Sequence, residues 1–230
     1  MTPDSGSFGA IFDVDGTLID SHDAHFESWK ATLETHEIAY GPEEFRRDFG
    51  RRNPEIIGEL WSALGREEPT TELMDAVADD KEQRFRAMLV EQSPEMPGAC
   101  RLMHALHEAG WRIAVGSSAP RENVELAIRI LGIEGLLDAV VCGNDVQRGK
   151  PEPDVFLRAA ELLDLAPANC IVIEDAEPGI DAAHRAGMPA VGIVSKGRTH
   201  EELASAERVI DSLEDLDASG LEGIIKEHQG

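Results

Sequence analysis

After residue 97 the chain alternates short apolar runs with stretches in which apolar residues recur at helical spacing. Four of the runs read as buried strands: Trp111 to Val115, Ala139 to Cys142, Cys170 to Ile173 and Ala190 to Val194. The helical patterns cover 98–109, 121–131, 153–164 and 178–187, with Gly110, Gly132 and Gly187 at their expected ends. Strand and helix in strict alternation predict an α/β protein with a doubly wound parallel sheet, a Rossmann-like core. Its active site is expected at the carboxyl ends of the strands.

A fifth apolar run, Phe8 to Phe12, ends in two carboxylates, Asp13 and Asp15, followed by Gly16 and Thr17. Side chains two residues apart on an extended segment point the same way. The two acids are therefore expected to project together from the end of a strand. Like charges held this close repel unless a cation or a shared proton relieves them, so this motif predicts chemistry.

Residues 21–93 lack a convincing strand and carry four helical patterns, 23–36, 43–49, 54–64 and 71–91. We expect a helical cap domain here, inserted into a catalytic core formed by residues 1–20 and 94–230. The Pro-rich stretch from Ser93 to Gly98 is the predicted hinge. The acidic stretch from Glu201 to Glu222 is expected to be solvated connecting structure.

The formal net charge of -24 argues against nucleic acid or an anionic membrane as a partner. The chain has no run of eighteen apolar residues, and residues 1–7 show no export signal. The three cysteines, Cys100, Cys142 and Cys170, fit neither a zinc spacing nor a disulfide framework. We expect buried free thiols in a cytoplasmic protein that is a monomer or weak dimer.

The other predicted strands also end in polar side chains. Ser117 and Ser118 follow the strand at 111–115, Lys150 lies beyond the strand at 139–142, and Glu174 and Asp175 follow the strand at 170–173. In a parallel sheet these positions lie on the same edge as Asp13 and Asp15.

In this order, the motifs Asp13-Val14-Asp15-Gly16-Thr17, Ser117, Lys150 and Glu174-Asp175 resemble those of the haloacid dehalogenase superfamily of phosphatases and phosphomutases. The likeness is to the capped branch that includes β-phosphoglucomutase. Four motifs in order are specific, and they extend over the core from about residue 8 to 195.

The resemblance implies that Asp13 attacks phosphorus and forms an aspartyl phosphate, while Asp15 serves as general acid and base. It assigns Mg²⁺ to Asp13, the backbone carbonyl of Asp15, and Asp175, with Glu174 in or just behind that shell. Ser117, Ser118 and the amides after Ser117 would bind phosphate oxygens. Lys150 would neutralise both the phosphate and the nucleophile.

In the cap, His25 and Lys81 match positions that β-phosphoglucomutase uses near the acid/base step and the substrate phosphate. Arg51 and Arg52 belong to the densest cationic patch, 46–53. Asn53 occupies the position of the arginine with which the mutase grips the distal phosphate. Either Arg51 or Arg52 replaces that grip, or the protein lacks it; a solvated helix end is the alternative for the whole patch.

The resemblance favours a Mg²⁺-dependent phosphatase of a small phosphorylated metabolite, a sugar phosphate in our expectation. The first alternative is a phosphomutase of the β-phosphoglucomutase type, in which a sugar hydroxyl replaces water as acceptor. A non-catalytic phosphate-binding protein is a remote alternative, because all core motif residues are present.

Overall fold

The computed structural model describes residues 8–92 and 95–230. The chain divides into two compact units, one of residues 1–20 and 94–230 and the other of residues 21–93. The first will be called the core unit and the second the cap unit. The segment 1–7, and Ser93 and Pro94 of the predicted hinge, lie outside the described residues.

Within its described residues, the core unit is built on a six-stranded parallel sheet with the strand order β3-β2-β1-β4-β5-β6. The strands are β1 (Gly9–Phe12), β2 (Arg112–Gly116), β3 (Ala139–Val141), β4 (Cys170–Glu174), β5 (Ala190–Ile193) and β6 (Arg208–Ile210). β1 lies at the centre, where Phe12 is in register with Val115 on one side and Ile173 on the other. The predicted α/β class with a Rossmann-like parallel core is confirmed, and the residues that follow β1, β2 and β4 emerge at one edge.

The described residues of the core unit form five helices. The first four follow the predicted apolar spacing within one or two residues at their ends, and the last was not predicted. The five are α5 (Ala99–Glu108), α6 (Arg121–Leu131), α7 (Asp154–Leu162), α8 (Glu177–Arg185) and α9 (Ala218–Gln229). Gly132 directly ends α6 in the left-handed region, with φ of 67°. Glycine adopts this conformation without the steric cost that a Cβ brings.

The prediction for Glu201 to Glu222 was wrong. This region contains β6, which pairs with β5, and the start of α9. Among its many charged residues are three widely spaced leucines that are fully buried, Leu203, Leu213 and Leu221. A three-residue strand and widely spaced leucines give too weak a periodic signal to separate from a solvated loop.

The cap unit is helical, as its pattern predicted. Its helices are α1 (His22–Glu34), α2 (Pro42–Asp48), α3 (Asn53–Ala63) and α4 (Thr71–Gln92). They enclose their own apolar cluster, which includes Trp29, Leu33, Phe45, Ile57 and Trp61. Since aromatic and aliphatic side chains of all four helices are buried together, the unit has a core of its own.

The cysteines are free thiols. Cys142 and Cys170 are buried as predicted, whereas Cys100 is only partly buried because it lies in the first turn of α5. None of the helices formed by the described residues combines the length and the apolar character needed to cross a bilayer.

Candidate active site

Asp13 is the first residue after β1, and its backbone N–H donates to Ile173 O of the adjacent β4 at 3.0 Å. This bond extends the ladder by one residue, so the carboxylate is held at the carboxyl edge of the sheet. Only 6% of the residue is exposed. The chain then turns at Gly16, which has φ of 77°. Asp15 lies just beyond Asp13, is partly exposed and is close enough for its charge to act on Asp13.

Three buried carboxylates meet at this edge. Asp13, Glu174 and Asp175 each offer an oxygen within 4.8 Å of the other two. The ammonium of Lys150 donates to Asp13 Oδ1 at 2.5 Å and to Glu174 Oε2 at 3.0 Å. It also lies 4.9 Å from the ring centroid of Phe156, and its side chain is 9% exposed. The predicted site residues of β1, β4 and the segment after β3 therefore come together.

The charges in this cluster do not balance, since the three carboxylates face the ammonium of Lys150 and, 3.8 Å from Asp175, the guanidinium of Arg198. Burial raises the pKa of Asp13, against the charge of Lys150, and the charge of Asp15 adds to the rise. Burial and the charge of Asp13 raise the pKa of Glu174 well above its ordinary value. Burial raises the pKa of Asp175 to about 7, although Arg198 opposes the rise. The pKa of Lys150 is also raised, because Asp13 and Glu174 outweigh its burial.

The pKa values of all four groups are thus raised, as expected for a buried cluster with excess negative charge. A divalent cation would supply the missing positive charge. An all-oxygen donor set suits Mg²⁺, which binds through a few carboxylates and retains waters. The residues present fit such an ion: Asp13, Glu174 and Asp175 would hold it. The predicted contribution of the Asp15 carbonyl stays a prediction.

The loop between β2 and α6 forms the second part of the site. Ser117 is 2% exposed, its N–H donates to Val141 O at 3.0 Å, and its hydroxyl accepts from Ala119 N at 3.1 Å. Ser118 follows and is partly exposed. The loop leads into α6, where the N–H of Arg121 donates to Asn144 Oδ1 at 3.1 Å and that of Asn123 to Pro120 O at 3.0 Å. The phosphate-binding role of Ser117 and Ser118 stays a prediction.

Two glycines allow the strand ends to approach closely. A Cβ on Gly143 would lie 2.3 Å from Ser118 O, and one on Gly179 would lie 2.1 Å from Glu174 Cδ. Both distances are far below contact, so any side chain at either position would displace the site residue beside it.

In the cap unit the structure brings together His25, Asn53 and Lys81 through a residue that the sequence analysis missed, Glu82. Lys81 Nζ lies 2.9 Å from His25 Nδ1 and donates to Glu82 Oε1 at 2.8 Å, while Asn53 Nδ2 donates to the same oxygen at 2.8 Å. The His25 ring stacks on Phe85 with centroids 4.0 Å apart. Because an ammonium only donates, His25 Nδ1 accepts from Lys81 and the ring proton is assigned to Nε2.

The arginine patch has an internal role. Arg47 and Arg51 both bind the carboxylate of Asp48, which is 1% exposed, and Arg51 also donates to Glu59 Oε2 at 2.6 Å. Arg51 is therefore already neutralised within the cap unit. Arg52 is partly exposed and forms no ion pair with any residue in the described ranges.

Sequence reasoning also missed Ser195 and Arg198, which contact Asp175. The rule that placed Ser117 would have found Ser195, since it too follows a strand of the parallel sheet. Glu82 carried no motif signal; its role depends on a partner, Asn53, 29 positions away.

The core unit has a parallel α/β sheet of the Rossmann-like class, with a buried acidic cluster, a lysine and a serine-containing loop at its carboxyl edge. This arrangement is typical of an enzyme active site. The model of the haloacid dehalogenase-like hydrolase family matches residues 9–187. The chain belongs to the haloacid dehalogenase-like hydrolase family.

Characterised relatives span hydrolysis and isomerisation. The chain is 34% identical over 204 residues to validoxylamine A 7'-phosphate phosphatase of Streptomyces hygroscopicus subsp. limoneus, covering 86% of this chain and 89% of that protein. It is 34% identical over 209 residues to β-phosphoglucomutase of Bacillus subtilis, covering 90% of each. The crystal structure of β-phosphoglucomutase from Clostridium difficile superimposes with a TM-score of 0.87 at 25% identity, over 97% of this chain and 99% of that one.

Proposed function

We propose that this protein is a Mg²⁺-dependent phosphatase of a small phosphorylated metabolite, a sugar phosphate or a similar polyhydroxy phosphate, that works through an aspartyl phosphate at Asp13. The observation that carries the proposal is the unbalanced buried cluster of Asp13, Glu174, Asp175 and Lys150. The excess negative charge of this site suits a divalent cation. A transferable phosphoryl group in turn needs positive charge around its oxygens, which such a cation would supply.

In the proposed reaction a carboxylate oxygen of Asp13 attacks phosphorus, and the bond to the ester oxygen breaks. Asp15 donates a proton to the leaving oxygen and takes one from the attacking water in the second step. Water then displaces the Asp13 carboxylate and inorganic phosphate leaves. Ser117, Ser118 and the backbone amides after Ser117 bind phosphate oxygens, and Lys150 keeps Asp13 ionised and in place. The bound Mg²⁺ would supply further charge neutralisation.

Hydrolysis is favoured over isomerisation by the cap unit's own contacts. A mutase must retain a bisphosphate, and that needs a cationic grip on the second phosphate. Arg51 is neutralised by Asp48 and Glu59, and Asn53 donates to the carboxylate of Glu82. Only Arg52 of the three candidate positions is left to bind an anion without first breaking an ion pair in the described cap. Mutase activity remains the second candidate because the B. subtilis relative carries that name.

The test is phosphate release from a panel of sugar phosphates with Mg²⁺ in excess, run beside isomerisation of β-glucose 1-phosphate primed with trace bisphosphate. We expect phosphate release, its loss on chelation, and its recovery when Mg²⁺ is restored. Asp13→Asn should abolish release, while Asp211→Asn, which changes a 75% exposed side chain, should not. Isomerisation without net phosphate release would make the protein a mutase. Undiminished release in Asp13→Asn would remove the nucleophile assignment.

We further propose that the partner is a free metabolite rather than a macromolecule, and that the protein works in the cytoplasm. The net charge of -24 disfavours polyanions, and free thiols suit a reducing compartment.

A further inference from the structure

One oxygen of Asp175 is held by two residues from the segment that follows β5. Ser195 Oγ donates to Asp175 Oδ2 at 2.7 Å, and Arg198 Nε lies 3.8 Å from the same oxygen. Asp175 and Ser195 are 3% and 7% exposed, so water contributes little to this contact. A hydroxyl–carboxylate bond of this length at a buried site is charge-assisted and strong.

The backbone of Gly16 also lies against Asp175 Oδ2. A Cβ on Gly16 would lie 2.1 Å from Asp175 Oδ2 and 3.1 Å from Ser195 Oγ. Glycine at this position therefore leaves the space in which the Asp175 oxygen and the serine hydroxyl meet. The carboxylate is enclosed on its Oδ2 side by Gly16, Ser195 and Arg198.

The sheet determines where Ser195 lies. β5 pairs with β4 in parallel, with Gly192 opposite Glu174, so the residues just after β5 lie beside those just after β4. A tight turn then brings Arg198 back, because its N–H donates to Ser195 O at 3.1 Å and Gly197 has φ of 84°. A single short segment thus presents both the hydroxyl and the guanidinium to Asp175.

We propose that Ser195, assisted by Arg198, is a positioning residue for Asp175. By holding Oδ2 of Asp175, it directs the other oxygen of this carboxylate toward Asp13 and Glu174, where that oxygen is free to bind a divalent cation. This inference rests on the proposed metal site. Groups that fix the orientation of a metal-binding carboxylate reduce the reorganisation needed on binding, and their loss typically costs about 10- to 100-fold in affinity.

The experiment measures Mg²⁺ binding to the full-length chain by titration calorimetry, together with the Mg²⁺ concentration that gives half-maximal phosphate release. The variants are Ser195→Ala and Ser195→Cys, which remove the strong donor, and Ser195→Thr, which keeps it. Ser219→Ala is the matched control: its hydroxyl also donates to an aspartate, Asp217, at 2.8 Å, but on the exposed surface.

We expect Ser195→Ala and Ser195→Cys to weaken Mg²⁺ binding about 10-fold, by the cost just given, and to raise the half-maximal Mg²⁺ concentration by the same factor. The maximal rate at saturating Mg²⁺ should stay within about two-fold of the wild-type rate, because the reacting groups are intact. Arg198→Met should weaken binding less than Ser195→Ala, since its contact is longer. Ser195→Thr and Ser219→Ala should bind as the wild type does.

Wild-type Mg²⁺ affinity in both Ser195→Ala and Ser195→Cys would overturn the inference while leaving the proposed phosphatase in place. A fall in the metal-free melting temperature with unchanged Mg²⁺ affinity would also overturn it, because the serine would then be only structural. If the wild-type chain binds no Mg²⁺ and releases phosphate from no substrate, the proposed function fails as well.

Discussion

Lys150 and Asp13, 137 positions apart in the chain, form the ion pair at the centre of the site, with 2.5 Å between Nζ and Oδ1. The same ammonium also donates to Glu174. Lys150 therefore holds the proposed nucleophile and one proposed metal ligand, from β1 and β4, in a single contact.

Replacing Lys150 by Met, which has a similar volume and no charge, should remove both ion pairs. We expect phosphate release to fall at least about 100-fold, since a positioned charge at the phosphoryl group is lost. The free energy of unfolding without Mg²⁺ should fall by about 3 kcal/mol, because buried carboxylates lose their partner. Urea unfolding and steady-state rates measure the two effects. Lys226→Met, in an exposed pair with Glu222, is the control and should change neither quantity appreciably.

Gly16→Ala and Gly110→Ala form a matched pair. Both glycines have positive φ, 77° and 80°, so each substitution should cost about 1 to 2 kcal/mol from backbone strain. A Cβ at Gly110 meets nothing within 4 Å, whereas one at Gly16 would overlap Asp175. Gly110→Ala should therefore keep full activity and Mg²⁺ affinity, and Gly16→Ala should lose both. Equal activity in the two variants would show that the Asp175 side chain can move aside without consequence.

The stability of the cap unit should depend on pH through Glu82. Burial alone would raise the pKa of Glu82, but the charge of Lys81 and the hydrogen bonds from Asn53 and Lys81 outweigh it and hold the pKa below its ordinary value of 4.5. A lowered pKa in the folded state stabilises the fold fully above the unfolded pKa, and this contribution is lost as pH falls through the folded pKa.

Glu82→Gln should accordingly lower the free energy of unfolding by about 1 to 3 kcal/mol at pH 7, and the difference from wild type should shrink below about pH 4.5. Glu91→Gln on the exposed face of α4 is the control. Denaturant unfolding followed by helical circular dichroism between pH 3.5 and 8 measures both. A difference that stays constant over this whole range would contradict the role given to the Glu82 charge.

Arg51 and Arg52 should behave differently although they are neighbours. Arg51→Ala removes contacts with Asp48 and Glu59 and should lower stability by about 1 kcal/mol, a small value because the arginine is partly exposed. Arg52→Ala should leave stability unchanged. If Arg52 binds a distal phosphate, its loss should raise KM for a sugar bisphosphate more than for a monophosphate. Equal effects on the two substrates would assign Arg52 to the solvated surface.

The alternation of strand-like and helical patterns was sufficient to predict the class of the core, five of its strands and the four helices of the insert. These features are local, because periodicity and glycine at helix ends act over a few residues. The same rules missed β6 and α9. A three-residue edge strand is specified by its neighbour β5 rather than by its own sequence.

Motif order also predicted which residues gather at the carboxyl edge, but not how each is held. The contacts of Asp175 with Ser195, and of Asn53 with Glu82, join residues 20 and 29 positions apart. Arg51, which the sequence offered as a phosphate ligand, lies instead against Asp48 and Glu59, three and eight positions away.

By itself, the sequence determined the parallel α/β core, the helical insert and the identity of the acids, serine and lysine at the strand ends, because each depends on local pattern. Only the tertiary structure decided that Asp13 and Glu174 share the ammonium of Lys150 and that Ser195 and Arg198 contact a single oxygen of Asp175. Both follow from the pairing of β1, β4 and β5, which brings side chains from distant segments into a buried space where their charges act strongly on one another.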